Sequence, residues 1–257
     1  MNTLFDPRTV AIKPDELSGR VIAITGPTRG IGQALALACA THGATVVLVG
    51  RNVKRLEAVH AQIEAAGGAE ATIAPFDLEK AVASDYDTLA VALMERYGRL
   101  DGLVHNAGIL GQLSPIDHYD VPTWYRVMHV NVTAAFALTH VLLPVLKRSD
   151  DASIVFTSSS VGRKARAFWG AYAVSKCAIE GLSDILSQEL ENVSHVRVNT
   201  INPGPTRTSM RLQAYPSESP DKMTPPEQVV GPYLALLGPA SRGITGQRFD
   251  AQPSASG

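Results

Sequence analysis

Aliphatic and β-branched residues gather into short, nearly unbroken runs: Val21–Thr25, Thr45–Val49, Ala71–Phe76, Leu100–His105, Ser153–Thr157 and Val196–Ile201. An unbroken run of this length predicts a strand buried on both faces, because a strand with one wet face would alternate. Between the runs, helical patterning covers Ile31–His42, Val53–Ala66, Tyr86–Tyr97, Val121–Lys147 and Ala171–Glu191. Strand and helix alternate, which predicts βαβ units wound on both faces of one mainly parallel sheet. A last short strand over 247–250 would bring that α/β, doubly wound sheet to seven strands.

Two segments stand outside the rhythm. Residues 1–16 carry Asp6, Asp15 and Glu16 and no apolar run, so they read as an N-terminal extension and not a secretory leader. Residues 17–257 then form a single domain. Within it, 209–228 is rich in Pro, Ser and charge and follows a strand end, where long irregular segments often serve as lids. It is expected to cover the substrate.

Composition narrows the partners. Hydrophobic residues make up 45% and charged residues 18% of 257, enough for a large core. The formal charge of −1 gives no basic surplus for nucleic acid. Cys39 and Cys177 lie far apart without metal-ligand spacing, and they read as reduced thiols. No metal site is expected. The longest apolar runs fall short of the ~20 residues of a membrane helix, so a cytoplasmic protein is expected.

Chemistry enters with the loop after the first strand, Gly26-Pro27-Thr28-Arg29-Gly30-Ile31-Gly32. Glycines let the backbone turn tightly against a pyrophosphate, and the helix that follows offers free N–H groups and a positive dipole end. The spacing is GxxxGxG and not GxGxxG, and alone it is also an ordinary strand-to-helix turn. The second strand ends in Val49-Gly50-Arg51-Asn52, with no carboxylate to grip a ribose 2′-hydroxyl. Arg51 and Arg29 can instead pair with a 2′-phosphate, which favours NADP(H) over NAD(H).

Tyr172 and Lys176 stand at i and i+4, on one helical face. A phenol with pKa ~10 is a poor acid or base near neutrality, and an adjacent ammonium favours its ionisation. The pair suits proton transfer to or from an alcohol or carbonyl oxygen. Ser159, thirteen residues earlier at a strand end, is placed to hold that oxygen, with Ser158 and Ser160 as competitors.

Taken jointly, Thr25-Gly26-x-x-x-Gly30-x-Gly32, Asn106-Ala107-Gly108, Asn131, Ser159, Tyr172-x-x-x-Lys176 and Pro203-Gly204 resemble the classical short-chain dehydrogenases/reductases in order and spacing. The stretches His105–Gly111, Phe156–Arg163 and Phe249–Pro253 resemble the bacterial YciK-type members. The resemblance implies a Rossmann fold and the following roles. Tyr172 is general acid in reduction and base in oxidation; Lys176 binds the nicotinamide ribose and lowers the Tyr172 pKa. Ser159 orients the substrate oxygen, and Asn131 holds a water that extends the proton relay. Gly26, Thr28, Gly30 and Ile31 line the pyrophosphate, and Asp77 and Leu78 meet adenine. Asn106 and Gly108 pack on the adenosine side, and Pro203, Gly204, Thr206 and Thr208 contact the carboxamide. The helices Val121–Lys147 and Ala171–Glu191 imply a homodimer or homotetramer.

The sequence departs from the family pattern at His105, read as structural, and at Ala251-Gln252, read as remote from the chemistry. Trp169 and Phe168 are candidates for an apolar pocket wall, and Arg163, Lys164 and Arg166 for recognition of an anionic substrate. The expected activity is interconversion of a small-molecule carbonyl and alcohol. A non-catalytic NADP(H)-binding sensor on the same fold is the alternative, although such proteins commonly lose the Tyr or Lys retained here. A C=C reductase is a weaker third reading.

Overall fold

The computed structural model describes residues 5–253; the first four residues of the expected extension and the last four of the domain lie outside them. Seven strands form one sheet: β1 (Val21–Thr25), β2 (Thr45–Gly50), β3 (Ala71–Pro75), β4 (Gly102–His105), β5 (Ser153–Thr157), β6 (Arg197–Asn202) and β7 (Arg248–Asp250). Their order is β3-β2-β1-β4-β5-β6-β7, and every pairing is parallel. The expectation of a mainly parallel sheet thus becomes a wholly parallel one.

The unbroken apolar runs have a simple cause. Ile22, Ile24, Val46 and Leu48 face one layer, with α1 (Gly30–Thr41), α2 (Val53–Ala65) and a late helix. Val21, Ala23, Val47 and Val49 face the other, with α3 (Ala83–Tyr97) and the helices that follow it. Neighbouring residues point to opposite faces and both faces are covered, so each position is apolar.

The helix expected over Val121–Lys147 is divided. α4 (Val121–Met128) and α5 (Ala134–Leu146) are joined by a π-helical turn, His129–Thr133. A π turn inserts a residue without ending the helix, so periodicity gives little sign of it. The 26-residue stretch Val121–Leu146 is long and apolar enough to cross a bilayer by length and composition. Its apolar side is nevertheless taken up by the core: Leu138, Leu142, Val145 and Leu146 are buried with the β4 and β5 side chains.

The sequence pattern also passed over short helices. α6 (Ser160–Arg163) leads into α7 (Gly170–Leu190), and α8 (Ser209–Ala214) opens the irregular segment. α9 (Gly231–Leu237) is buried from Pro232 to Leu237. A helix apolar all round has no polar stripe to reveal its period. The N-terminal extension packs back on the domain, with Phe5 edge-on to Phe249 at 5.8 Å.

At the N-terminal ends of the strands, Asp151 is a buried hub. Its carboxylate accepts from Arg197 Nε at 2.9 Å and Arg20 Nη2 at 2.5 Å, and Arg197 also reaches the carbonyl of Leu236 on α9 at 2.8 Å. Asp151→Ala would leave Arg197 buried without its countercharge. It is expected to destabilise the protein by about 3–5 kcal/mol, read as a lower urea midpoint; an unchanged midpoint would contradict the hub.

Candidate active site

The sheet order reverses at β1: the chain passes to β2 and β3 on one side and returns to β4 on the other. The two loops leaving β1 and β4 therefore diverge and open a crevice at the strands' C-terminal ends. Thr25 holds its floor. Its hydroxyl accepts the N–H groups of Asn106 (3.1 Å) and Ala107 (3.0 Å) and lies 3.2 Å from the Val104 carbonyl. The Asn106 side chain returns two bonds of 3.2 Å to the carbonyls of Thr25 and Gly26.

That closeness dictates the glycines. Gly26 has φ +66°, and a Cβ at Gly32 would stand 2.2 Å from the Gly26 carbonyl oxygen. Arg29 precedes α1 without a side-chain cap, leaving the first-turn N–H groups of the helix uncapped by it. Glycine loop and helix start line one cavity of about 570 Å³.

Every residue expected to touch the cofactor lines this cavity, from Gly26 and Arg51 to Asp77, Asn106, Pro203 and Thr208. Ser159, Tyr172 and Lys176 line it too. Asn131 does not. It is buried in the π turn, accepting the Ile109 N–H at 2.9 Å and donating to the Ile109 carbonyl and Ser175 Oγ, both at 3.0 Å. It borders a separate void of about 10 Å³ shared with Thr25, His105, Thr157 and Lys176, about the room one water needs.

Tyr172 and Lys176 are both buried on α7. Burial pushes the Tyr172 phenol up to about 12, and the Ser159 hydroxyl pulls in the opposite direction. Burial holds the Lys176 ammonium down to about 8, opposed by the negative charge of Glu180 one turn on. Lys176 Nζ donates to the Thr157 carbonyl at 2.7 Å. Lys176 is thus placed by the β5 end, and burial outweighs any lowering of the phenol by its charge. Among the neighbouring serines, Ser160 is exposed and outside the cavity, while Ser158 lines it with a buried, unpartnered hydroxyl.

Several residues at the site carried no sequence signal. Glu79, a carboxylate, lines the cavity and pairs with Arg51 at 3.2 Å, so the acid missing after β2 is supplied by the β3–α3 loop. Arg55 and Arg211 add guanidiniums to the lining. Asp77 accepts the Glu79 N–H at 3.1 Å, the turn role open to it alongside cofactor contact. Trp169 lines the cavity; Phe168 is exposed and does not. Arg163 is committed elsewhere, to Asp250 at 2.8 Å and the Phe249 carbonyl at 2.5 Å, and it does not line the cavity.

A family model described as short chain dehydrogenase matches residues 20–219. The chain belongs to the short-chain dehydrogenase family. It is 46% identical over 241 residues to the oxidoreductase YciK of Escherichia coli, covering 94% of this chain and 95% of that one. A short-chain dehydrogenase structure from Pseudomonas syringae, 53% identical, has a TM-score of 0.93 over 97% of this chain and 100% of that one. A Shigella flexneri relative crystallised in complex with NADP is 46% identical, with a TM-score of 0.91 over 94% and 100% of the two chains. The YciK-type resemblance of the sequence therefore holds.

The two departures of this short-chain dehydrogenase fare differently. Gln252 is not remote: its Nε2 donates to the Pro203 carbonyl at 2.8 Å and its Oε1 accepts from Thr224 at 2.7 Å, lacing the β6 loop to the irregular segment. His105 is fully enclosed, stacked on Phe156 at 4.7 Å with Nε2 2.8 Å from Thr139 Oγ1. Burial and then the Lys176 charge depress its pKa to about 3. The unfolded chain binds this proton near pH ~6.5 and the folded one does not, so stability is full above ~6.5 and falls as pH drops toward about 3. His105→Asn should remove about 2 kcal/mol of the stability change between about pH 6.5 and 4.5, measured by urea unfolding. An unaltered acid limb would show that His105 takes up its proton in the folded state.

Proposed function

We propose that this oxidoreductase interconverts a carbonyl and an alcohol of a small molecule with NADP(H), and that Tyr172 is its general acid in reduction and general base in oxidation. The observation that carries the reading is the shared cavity: the Tyr172 phenol and Ser159 hydroxyl line the same space as the Gly26–Gly32 cradle. The cradle fits a dinucleotide because Gly26, Thr28, Gly30 and Ile31 present their backbone to the cavity and the α1 N-terminus is left without a side-chain cap.

When bound, the nicotinamide supplies or accepts the hydride. Thr28, Gly30 and Ile31 would line the pyrophosphate, Asp77 and Leu78 the adenine, and Pro203, Gly204, Thr206 and Thr208 the carboxamide. Arg51 and Arg29 would take the 2′-phosphate. Ser159 orients the substrate oxygen toward the Tyr172 hydroxyl, which hands it a proton as negative charge develops there. The raised pKa keeps Tyr172 protonated at neutral pH, the form a general acid needs.

Lys176 holds a positive charge near the phenol, and Asn131 with its small void would carry the proton path beyond it. The irregular segment acts as the substrate lid, contributing Met210, Arg211 and Ala214 to the cavity. Trp169 forms the apolar wall beside Tyr172, its ring 5.8 Å away. Exposed Tyr125 and Phe136 on α4 and α5, with Val174 and Ile185 on α7, suit a homo-oligomer. No observation favours the non-catalytic sensor.

Tyr172→Phe should lower NADPH-dependent carbonyl reduction at least about a hundredfold while NADPH affinity stays unchanged; the fit is a panel of aldehydes, ketones, quinones and 3-oxoacyl thioesters followed by NADPH absorbance. Full activity in that variant would sink the mechanism. Lys176 loses its ammonium as pH rises through about 8, so kcat for reduction should fall on that alkaline limb. In Lys176→Arg, which stays charged, the limb should move up or vanish.

A further inference from the structure

Resting on the NADP(H) reading, we propose that Arg126 on α4, outside the cofactor cavity, sets the preference for the 2′-phosphate by occupying Glu79. Arg29, Arg51 and Arg55 line the cavity where β2 ends and α1 and α2 begin, a surplus of positive charge suited to a phosphate dianion. The chain has no acid at the end of β2. Folding brings one there nonetheless, because Glu79 from the β3–α3 loop reaches Arg51. A bare carboxylate at that place would clamp Arg51 and repel a 2′-phosphate, and would be free to grip a 2′-hydroxyl as the acid of an NAD(H) site does.

Arg126 prevents this. Its guanidinium takes both carboxylate oxygens of Glu79, Nε to Oε1 at 2.7 Å and Nη2 to Oε2 at 3.0 Å. Arg51 makes one longer contact, Nη1 to Oε2 at 3.2 Å, and is otherwise well exposed. A two-pronged guanidinium–carboxylate pair is stronger and more directional than a single contact. Glu79 therefore belongs to Arg126, and Arg51 can exchange its one bond for a phosphate oxygen. Hydrogen bonding from Arg126 is also the largest cause holding the Glu79 carboxyl below its ordinary range, so it remains an anion that needs this partner. The other acid at this end, Asp77, is turned to the Glu79 N–H. Arg126 is a positioning residue: it touches no cofactor and acts through Glu79.

The test is calorimetric binding of adenosine 2′,5′-bisphosphate and of 5′-AMP, at low ionic strength, to the wild type, Arg126→Ala and Arg126→Ala/Glu79→Gln. Arg126→Ala should bind the bisphosphate about tenfold more weakly, since an uncompensated like charge then faces the phosphate, and should bind 5′-AMP as before. The loss should shrink with added salt. Removing the Glu79 charge in the double variant should restore the bisphosphate affinity. An unchanged ratio of the two affinities in Arg126→Ala overturns the proposal. Equal weakening of both ligands, or no rescue by Glu79→Gln, assigns Arg126 a merely structural part and overturns it as well. A wild type that binds both ligands alike would instead overturn the NADP(H) reading on which the proposal rests.

Discussion

The Thr25 hydroxyl joins the two halves of the sheet where they part. Between β1 and β4 the strand order reverses, and the backbone leaving each strand turns away from its neighbour, so no ladder bond can bridge the gap. There the Asn106 N–H reaches only the Val104 carbonyl of its own strand, at 3.1 Å, and the Ala107 N–H has no strand partner. Thr25 accepts both, and Asn106 closes the loop on the Thr25 and Gly26 carbonyls. With β1 and β4 held this close, the backbone at Gly32 sits where no side chain fits. The nucleotide cradle is therefore a consequence of the sheet's topology, and glycine is the only residue compatible with it.

The Tyr172 side of the cavity is organised by the demand that buried polar groups find partners. Ser175 Oγ donates to the Tyr172 carbonyl and receives Asn131, whose other atoms hold Ile109. Lys176 is anchored on the Thr157 carbonyl, and the Thr157 hydroxyl meets that of Tyr233 on α9 at 3.2 Å. Apart from the Ser175–Tyr172 bond within α7, each of these joins groups from different elements. The π turn makes this possible by turning Asn131 inward from a helix whose neighbouring face packs against the sheet. Tyr172 and Lys176 are thus held by elements as distant in sequence as the π turn and α9.

Burial then sets the electrostatics. The same enclosure that raises the Tyr172 phenol and lowers the Lys176 ammonium keeps His105 neutral beneath them. A second positive charge at His105 would oppose Lys176, so a fully enclosed imidazole stacked on Phe156 is compatible with the site. At the far end of the cavity the balance differs, because partly exposed guanidiniums and one carboxylate compete there in water.

The strands, their parallel order and the long helices were legible because double burial leaves apolar runs and helical packing leaves a period. The glycine loop, Ser159, Tyr172 and Lys176 stood out by local spacing and strand-end position, and folding brings them to one cavity. α9 was not legible, since a helix buried all round shows no stripe, and the π turn was hidden inside a continuous helical pattern. Glu79 beside Arg51, Gln252 beneath Pro203 and Arg163 tied to Asp250 lay beyond any local reading. Such partners are chosen by which loops the folded sheet brings together, through contacts between residues 28, 49 and 87 positions apart. The amino-acid order by itself determined the layers and the residue types of the chemistry; the tertiary structure decided which charges meet, because only packing in three dimensions sets the distances over which charges act.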